Sequence, residues 1–441
     1  MNSLGNDMIT LLKRLWPITR SITGDGVRET LSILSEYLPN LKQYEVPTGT
    51  KVFDWEVPKE WNIRDAYILD PDGKKIVDLK ENNLHVVGYS VPINKKISLQ
   101  ELKDHLYTLP EQPTAIPYIT SYYKERWGFC MTQNQFETLK EGTYTVFIDS
   151  DLSNGSLTYG ELILPGESTK EVFLSTYVCH PSMANNELSG PVVTTFLAKW
   201  IQNLPHRYYT YRIVFIPETI GSITYLSKNR DDMKKNIIAG FNISCVGDDR
   251  AYSYLPSRQE NTLSDTVAKH VLNHLYPDFV SYSWLDRGSD ERQYCSPGID
   301  LPIASVMRTK YGRYPEYHTS LDNIDVVTET GLYGGYNVLK KCLEVIEMNG
   351  IPTTSILAEP QLGKRGLYPT ISTKKSGEIV KDMMNLLTYC DGKQSLLEIA
   401  NQINCPIWDL IDICNKLDEE GVITIKESKT PQKQMVLDDI G

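Results

Sequence analysis

Between about residues 156 and 350 the chain alternates short apolar runs with longer helix-spaced ones, and this alternation limits the fold more than any other feature. Strand candidates fall at 172–177, 211–216, 237–243 and 302–307, and helix candidates at 191–202, 262–274 and 328–348. Strands regularly separated by helices predict an α/β layer with a mostly parallel sheet.

The flanks read differently. Residues 7–38 show helical spacing in two stripes, Ile9, Leu12, Leu15 and Trp16, then Val27, Leu31, Leu34 and Leu38, separated by the breaker Gly24-Asp25-Gly26. The first sixteen residues lack a basic segment followed by an apolar core and a cleavage site, so they read as a helix and not as a signal peptide. From residue 46, Pro, Gly and aromatic residues become frequent. Asp70-Pro71-Asp72-Gly73 is a turn between strand-like runs, and 144–148 is a further strand. This β-rich domain, 46–155, is expected as an insertion into a catalytic domain made of 1–45 and 156–355. In the last segment, 365–441, Ser395 is an N-cap for Leu396, Ile399, Ala400 and Ile403, and Pro406 opens a helix that Gly421 stops. Short helices followed by the strand 422–425 predict a winged helix.

The net charge of −11 argues against a general nucleic-acid binder and against docking on anionic membrane. No apolar run reaches the roughly 18 residues that a membrane span needs. The eight cysteines are scattered, with no C-x-x-C pair, which predicts reduced thiols and a cytoplasmic protein. Association into homo-oligomers is left open.

Two of the seven histidines stand in unusual settings. His180 ends the apolar run 173–179 and precedes a polar loop closing on Ser189-Gly190. His318 lies in the polar loop Tyr317-His318-Thr319-Ser320-Leu321-Asp322-Asn323. Between them the run 211–216 ends in Pro217-Glu218. Ligands of open α/β sheets bind at the carboxyl ends of the strands. Two imidazoles and a carboxylate there suit zinc with an open position, and a further carboxylate can take a proton from bound water. The residues alone leave a second reading open, in which each histidine is a hydrogen-bonded loop residue.

The order of motifs resembles the zinc-dependent aminopeptidases that include the bacterial leucyl aminopeptidases. The matching segments are His180, 184–190 ending in Ser189-Gly190, Glu218-Thr219-Ile220-Gly221, Asn242-Ile243-Ser244, Ser289-Asp290 and His318-Thr319-Ser320-Leu321-Asp322. Arg20-Ser21-Ile22-Thr23-Gly24-Asp25-Gly26 and the segment 53–61 resemble a branch of that family linked to bacterial surface-polysaccharide loci. The resemblance implies a phosphorylase/hydrolase-like core with an inserted β domain and a C-terminal winged helix. It also implies a peptide or small-molecule substrate, Glu218 as general base, and Asp290 and Tyr317 near the substrate. Three ligand positions of the two-zinc enzymes read Asn186, Thr219 and Ser244 here. One zinc is therefore expected, on His180, Glu187 and His318, with Asp248 or Asp249 as a less favoured substitute for Glu187.

The expected function is a single-zinc amide hydrolase. The alternative is a catalytically degenerate binding or assembly protein of surface-polysaccharide biosynthesis, and a DNA-binding regulator has only the winged helix in its favour. His270 and His274 read as a solvated helix face and not a metal pair. Asp290 could equally pair with Arg287 or Arg292, and Tyr118, Tyr122, Tyr123 and Trp127 read as strand packing more than as pocket lining.

Overall fold

The apolar run at 171–177 lies inside an eight-stranded sheet. Numbered along the chain, its strands are β1 (Lys42–Pro47), β2 (Ser156–Leu164), β3 (Glu171–Tyr177), β4 (Thr210–Ile216), β5 (Ile237–Asn242), β6 (Ser253–Leu255), β7 (Val280–Ser281) and β8 (Ile303–Met307). The order across the sheet is β1-β2-β4-β3-β5-β8-β6-β7. The computed structural model describes residues 3–122, 124–367 and 374–426; Tyr123 and part of the expected winged-helix segment lie outside them.

The sheet is mixed: the expected parallel pairing holds for its central strands and for β6 with β7, and antiparallel pairings lie toward both edges. Strands β4, β3, β5 and β8 run parallel, whereas β1 with β2, β2 with β4, and β6 with β8 are antiparallel. The reason at one edge is the route of the chain. It leaves along β1 for a second sheet and returns along β2, so the two strands must oppose each other.

Helices α1 (Ser3–Leu15), α2 (Asp25–Tyr37), α3 (Ser189–Gln202), α4 (Ile220–Asn236), α5 (Leu263–Leu275), α6 (Glu291–Tyr294) and α7 (Glu329–Met348) cover the two faces. Val172 and Leu174 of β3 join the core under α1, α2, α3, α5 and α7, while Phe173 joins the core under α4 and α6. That alternation is the two-residue period of a strand buried on both sides. Where α1 meets α7, a Cβ on Gly5 would come within 2.9 Å of the Glu329 carbonyl oxygen, so only glycine permits this approach.

The second sheet is antiparallel and consists of Lys75–Asp78, Glu60–Leu69, Thr143–Ser153 and Ile93–Ser98 in that order. It has its own core, with Ala66, Ile68, Val77, Val146 and Ile148.

At the C-terminal end, α8 (Lys374–Tyr389), α9 (Leu396–Ile403) and α10 (Ile407–Glu419) accompany the pairing of Ile351–Thr354 with Ile423–Lys426. Ser395 caps α9 in a reciprocal box with Glu398. His270 of α5 is buried, against the expectation of a solvated face. Its Nδ1 is 2.7 Å from Asn401 Oδ1, and its Nε2 accepts the Ile407 amide at 3.0 Å, so this imidazole joins α5 to α9 and α10. Among the described residues no helix is long and apolar enough to cross a membrane, and all eight cysteines are buried and unpaired.

Candidate active site

Because β4, β3, β5 and β8 are parallel, the segments that follow them emerge along one edge. Cys179 and His180 follow β3, Pro217 and Glu218 follow β4, and Ile243 and Ser244 follow β5. The loop after β8 brings Tyr317 and His318.

His180 is the hub. Its Nδ1 lies 2.8 Å from Glu187 Oε2, and its Nε2 lies 3.5 Å from Glu218 Oε2. The His318 ring centroid is 5.8 Å from that of His180, and Tyr317 stacks on His318 at 3.8 Å. Burial opposes a charge on His180, but the Glu187 carboxylate against its Nδ1 favours one, and its pKa is raised. Burial, then the neighbouring His180, pushes His318 down to about 3, leaving a neutral imidazole. The buried Cys179 thiol is pushed up to about 12, so it stays protonated and is no nucleophile at neutral pH.

Glu218 is largely buried, its side chain 22% exposed, and burial raises its pKa. The Ser289 hydroxyl donates to its Oε1 at 2.7 Å. Asp290, expected beside the substrate, is fully buried; its Oδ1 accepts the Thr219 amide at 2.7 Å and the Ser222 hydroxyl at 2.8 Å. It therefore fixes the turn that presents Glu218, in which Thr219 adopts φ +63°. Burial, then the charge of Glu218, pushes Asp290 up to about 8. Asp322 accepts the amides of Asn185 and Asn186 at 2.7 and 2.9 Å and so pins the loop after His180. Asp248 is used structurally, accepting from Asn185 Nδ2 at 3.0 Å and from Thr309.

Sequence reasoning missed or undervalued three contributors. Tyr118 lies edge-on to both His180 and His318, each centroid 5.3 Å away, and its hydroxyl is 2.9 Å from that of Tyr122. Its amide donates to the His318 carbonyl at 3.0 Å, and Ile116 and Ser320 exchange two hydrogen bonds of 2.9 Å. Tyr118 therefore belongs to the site and not to strand packing alone. Ser289 was noted only as part of a motif. Arg20 lies behind His180, where its Nε donates to the His180 carbonyl at 2.9 Å. The signal for Arg20 was a lone cation among Ser, Ile, Thr and Gly; that for Tyr118 was its aromatic cluster with Tyr122 and Trp127, whose spacing does not show what it packs against.

The site suits one zinc better than two. Glu187 occupies His180 Nδ1, leaving Nε2 for a metal, in the manner of a carboxylate that orients a ligating imidazole. Nε2 faces Glu218 Oε2 at 3.5 Å, which sets a carboxylate beside the free ring nitrogen. Neutral His318 is in the form that ligates. Asn186, Thr219 and Ser244 bring no charge to offset a second ion. Glu187 does not converge with His318: among the described residues the one trio of candidate donors within 4.8 Å of one another is Cys179, His180 and Glu187. That trio is already knit by hydrogen bonds, Cys179 to His180 and His180 to Glu187, and Arg20 stands 3.4 Å from Glu187. Glu187 thus already meets an imidazole through one oxygen and faces a guanidinium with the other.

Residues 9–349 match the model of a family described as a domain of unknown function, DUF4910, and 351–425 match a winged helix-turn-helix model. The chain belongs to the DUF4910 family. This DUF4910 chain is 47% identical over 398 residues to a Clostridium acetobutylicum protein provisionally described as a polysaccharide biosynthesis protein with an aminopeptidase-like domain, covering 90% of this chain and 91% of that one. A crystal structure from Clostridium acetobutylicum, provisionally described as a peptidase, is 44% identical with a TM-score of 0.90, covering 96% of each chain. BSAP, a zinc aminopeptidase from Bacillus subtilis, shares the fold at a TM-score of 0.56 and 12% identity, covering 78% of this DUF4910 chain and 94% of BSAP.

Proposed function

We propose that this chain is a zinc-dependent amide hydrolase of aminopeptidase type with a single metal. The observation that carries the reading is the approach of His180 Nε2 and Glu218 Oε2 to 3.5 Å beside the neutral His318, at the carboxyl edge of the parallel strands. His180 and His318 would hold the zinc, which supplies Lewis acidity toward a carbonyl and acidifies its water. Two imidazoles are one ligand fewer than a catalytic zinc usually takes, so the ion is expected to exchange and to be removable by chelators.

The rest of the chemistry belongs to the chain. Glu218, held by Ser289 and raised in pKa, takes a proton from the attacking water and delivers it to the leaving amine. Asp290 and Arg292 brace the turn beneath it, the latter donating to Thr219 Oγ1 at 2.7 Å. Tyr118 and Tyr317 wall the imidazoles and limit water. We read 46–155 as an inserted domain whose loop supplies Tyr118, and the protein as cytoplasmic. The description of the Clostridium acetobutylicum relative directs the substrate search to amides borne by amino sugars as well as to peptides.

The test is metal content together with hydrolysis. Zinc-loaded protein should hold one zinc and cleave a member of a panel of aminoacyl amides, dipeptides and N-acylated sugars, and His180→Ala should lose both properties. Two metals per chain, or unchanged zinc in His180→Ala, would overturn the reading. Neither metal nor hydrolysis would favour a binding or assembly role, for which the neutral Asn186, Thr219 and Ser244 are the supporting observation.

A further inference from the structure

Arg20 lies in the turn between α1 and α2 and is 1% exposed. Its Nη1 donates to the Leu15 carbonyl, at the end of α1, at 2.9 Å and to Thr30 Oγ1 of α2 at 3.3 Å. Its Nε donates to the carbonyl of His180 at 2.9 Å and stands 3.4 Å from Glu187 Oε1, with neither charged side chain exposed. The other oxygen of Glu187 meets His180 Nδ1 at 2.8 Å. One guanidinium, tied to two helices, thus reaches both the backbone of His180 and the carboxylate that holds its ring.

A buried ion pair is a poor device for stability alone, since desolvation offsets most of its attraction and a well-packed apolar pair serves a core as well. An apolar pair cannot receive an imidazole N–H. We propose that Arg20 is a positioning residue acting through Glu187: it holds that carboxylate against Nδ1 and so aims Nε2 of His180 at Glu218. The geometry requires arginine, because a planar fork can reach two oxygens and two helices together where an ammonium offers one compact charge. The inference rests on the reading of His180 as a site residue, but its central measurement does not depend on hydrolysis.

The experiment uses full-length protein labelled with ¹⁵N-histidine, with the His180 imidazole signals assigned by their loss in His180→Asn. The variants are Arg20→Lys, Arg20→Met, Glu187→Gln and Arg20→Met/Glu187→Gln; the double variant removes both charges, and Arg20→Lys keeps the test should Arg20→Met fail to fold. In the wild type the Nδ1 proton should resonate far downfield, as expected of a bond to a carboxylate. It should move upfield in Glu187→Gln, and shift or broaden in Arg20→Lys. Zinc affinity, measured by titration with zinc alone, should fall about 10-fold in Arg20→Lys, within the range for loss of a group that orients a metal ligand. The double variant should lose no more than Glu187→Gln, because the two residues act along one route. An unchanged Nδ1 proton and zinc affinity in Arg20→Lys would overturn the proposal, as would losses that add in the double variant. A wild type that takes up no zinc would remove the zinc reading, and the Nδ1 signal would still decide the role of Arg20.

Discussion

Glu218 is where the chemistry can be separated from the fold at the cost of one atom. Glu218→Gln keeps the shape and the hydrogen bond from Ser289 but removes the proton acceptor. Activity should fall by about 100-fold or more, with zinc content and melting temperature close to wild type; equal turnover by the variant would show that another group carries the proton. Tyr118 offers a graded pair. Tyr118→Phe keeps the ring over both imidazoles and should change turnover little, whereas Tyr118→Ala should cost about 10-fold, the scale of a lost aromatic contact. Steady-state kinetics on the same substrate would distinguish them, and a harmless Tyr118→Ala would exclude the tyrosine from the site. His180 and Glu218 were legible in the sequence because each follows a strand-like run, and His318 because it stands in a polar loop of a chain with only seven histidines. Glu187 was legible as a neighbour of His180 but not in its role, since spacing along a chain does not say which ring nitrogen a carboxylate meets.

Among the elements, the contact of α5 with α9 and α10 has a chemical signature. Burial lowers the pKa of His270 in the folded protein. In the unfolded chain the imidazole takes a proton near pH 6.5, as an ordinary histidine does. The neutral contact is therefore fully stabilising above about pH 6.5 and loses its contribution as the pH falls through that value toward the lowered folded one. Thermal denaturation should show stability declining below about pH 6.5, with a shallower decline in His270→Gln. His85, His274 and His318 are depressed in the same direction, so the difference between variant and wild type is the measurement. An identical slope in both proteins would remove His270 from the account. This docking was hidden in the sequence because helical spacing shows that His270 and His274 share a face, not what covers it. The mixed sheet was hidden for a similar reason: apolar periodicity identifies strands, while their direction depends on where the chain travels between them.

For the whole molecule, the winged helix should contribute packing and not DNA recognition. Helix α10 carries Asp409, Asp412, Asp418 and Glu419 against Lys416, and its first turn is occupied by the contacts of Ile407 and Trp408 with His270. A phosphate backbone would meet like charge there. Titration of the full chain with duplex DNA should give no salt-sensitive binding, and tight binding that weakens steeply with salt would contradict this. The α/β class and the settings of His180 and His318 were readable because they are local patterns, but closure of the site was not. The bonds that seal it join Arg20 to His180 across 160 residues, Ile116 to Ser320 across 204 and Gln112 to Pro315 across 203. Synthesis proceeds from the N-terminus, and domains generally fold as units along the way. The second sheet can thus be finished on the ribosome while the loop that will meet Ile116 and Tyr118 is still untranslated. A chain cut short before residue 320 would lack Ser320 and Asp322, and with them the bonds that hold Ile116 and the loop after His180, so the site is completed only late in synthesis.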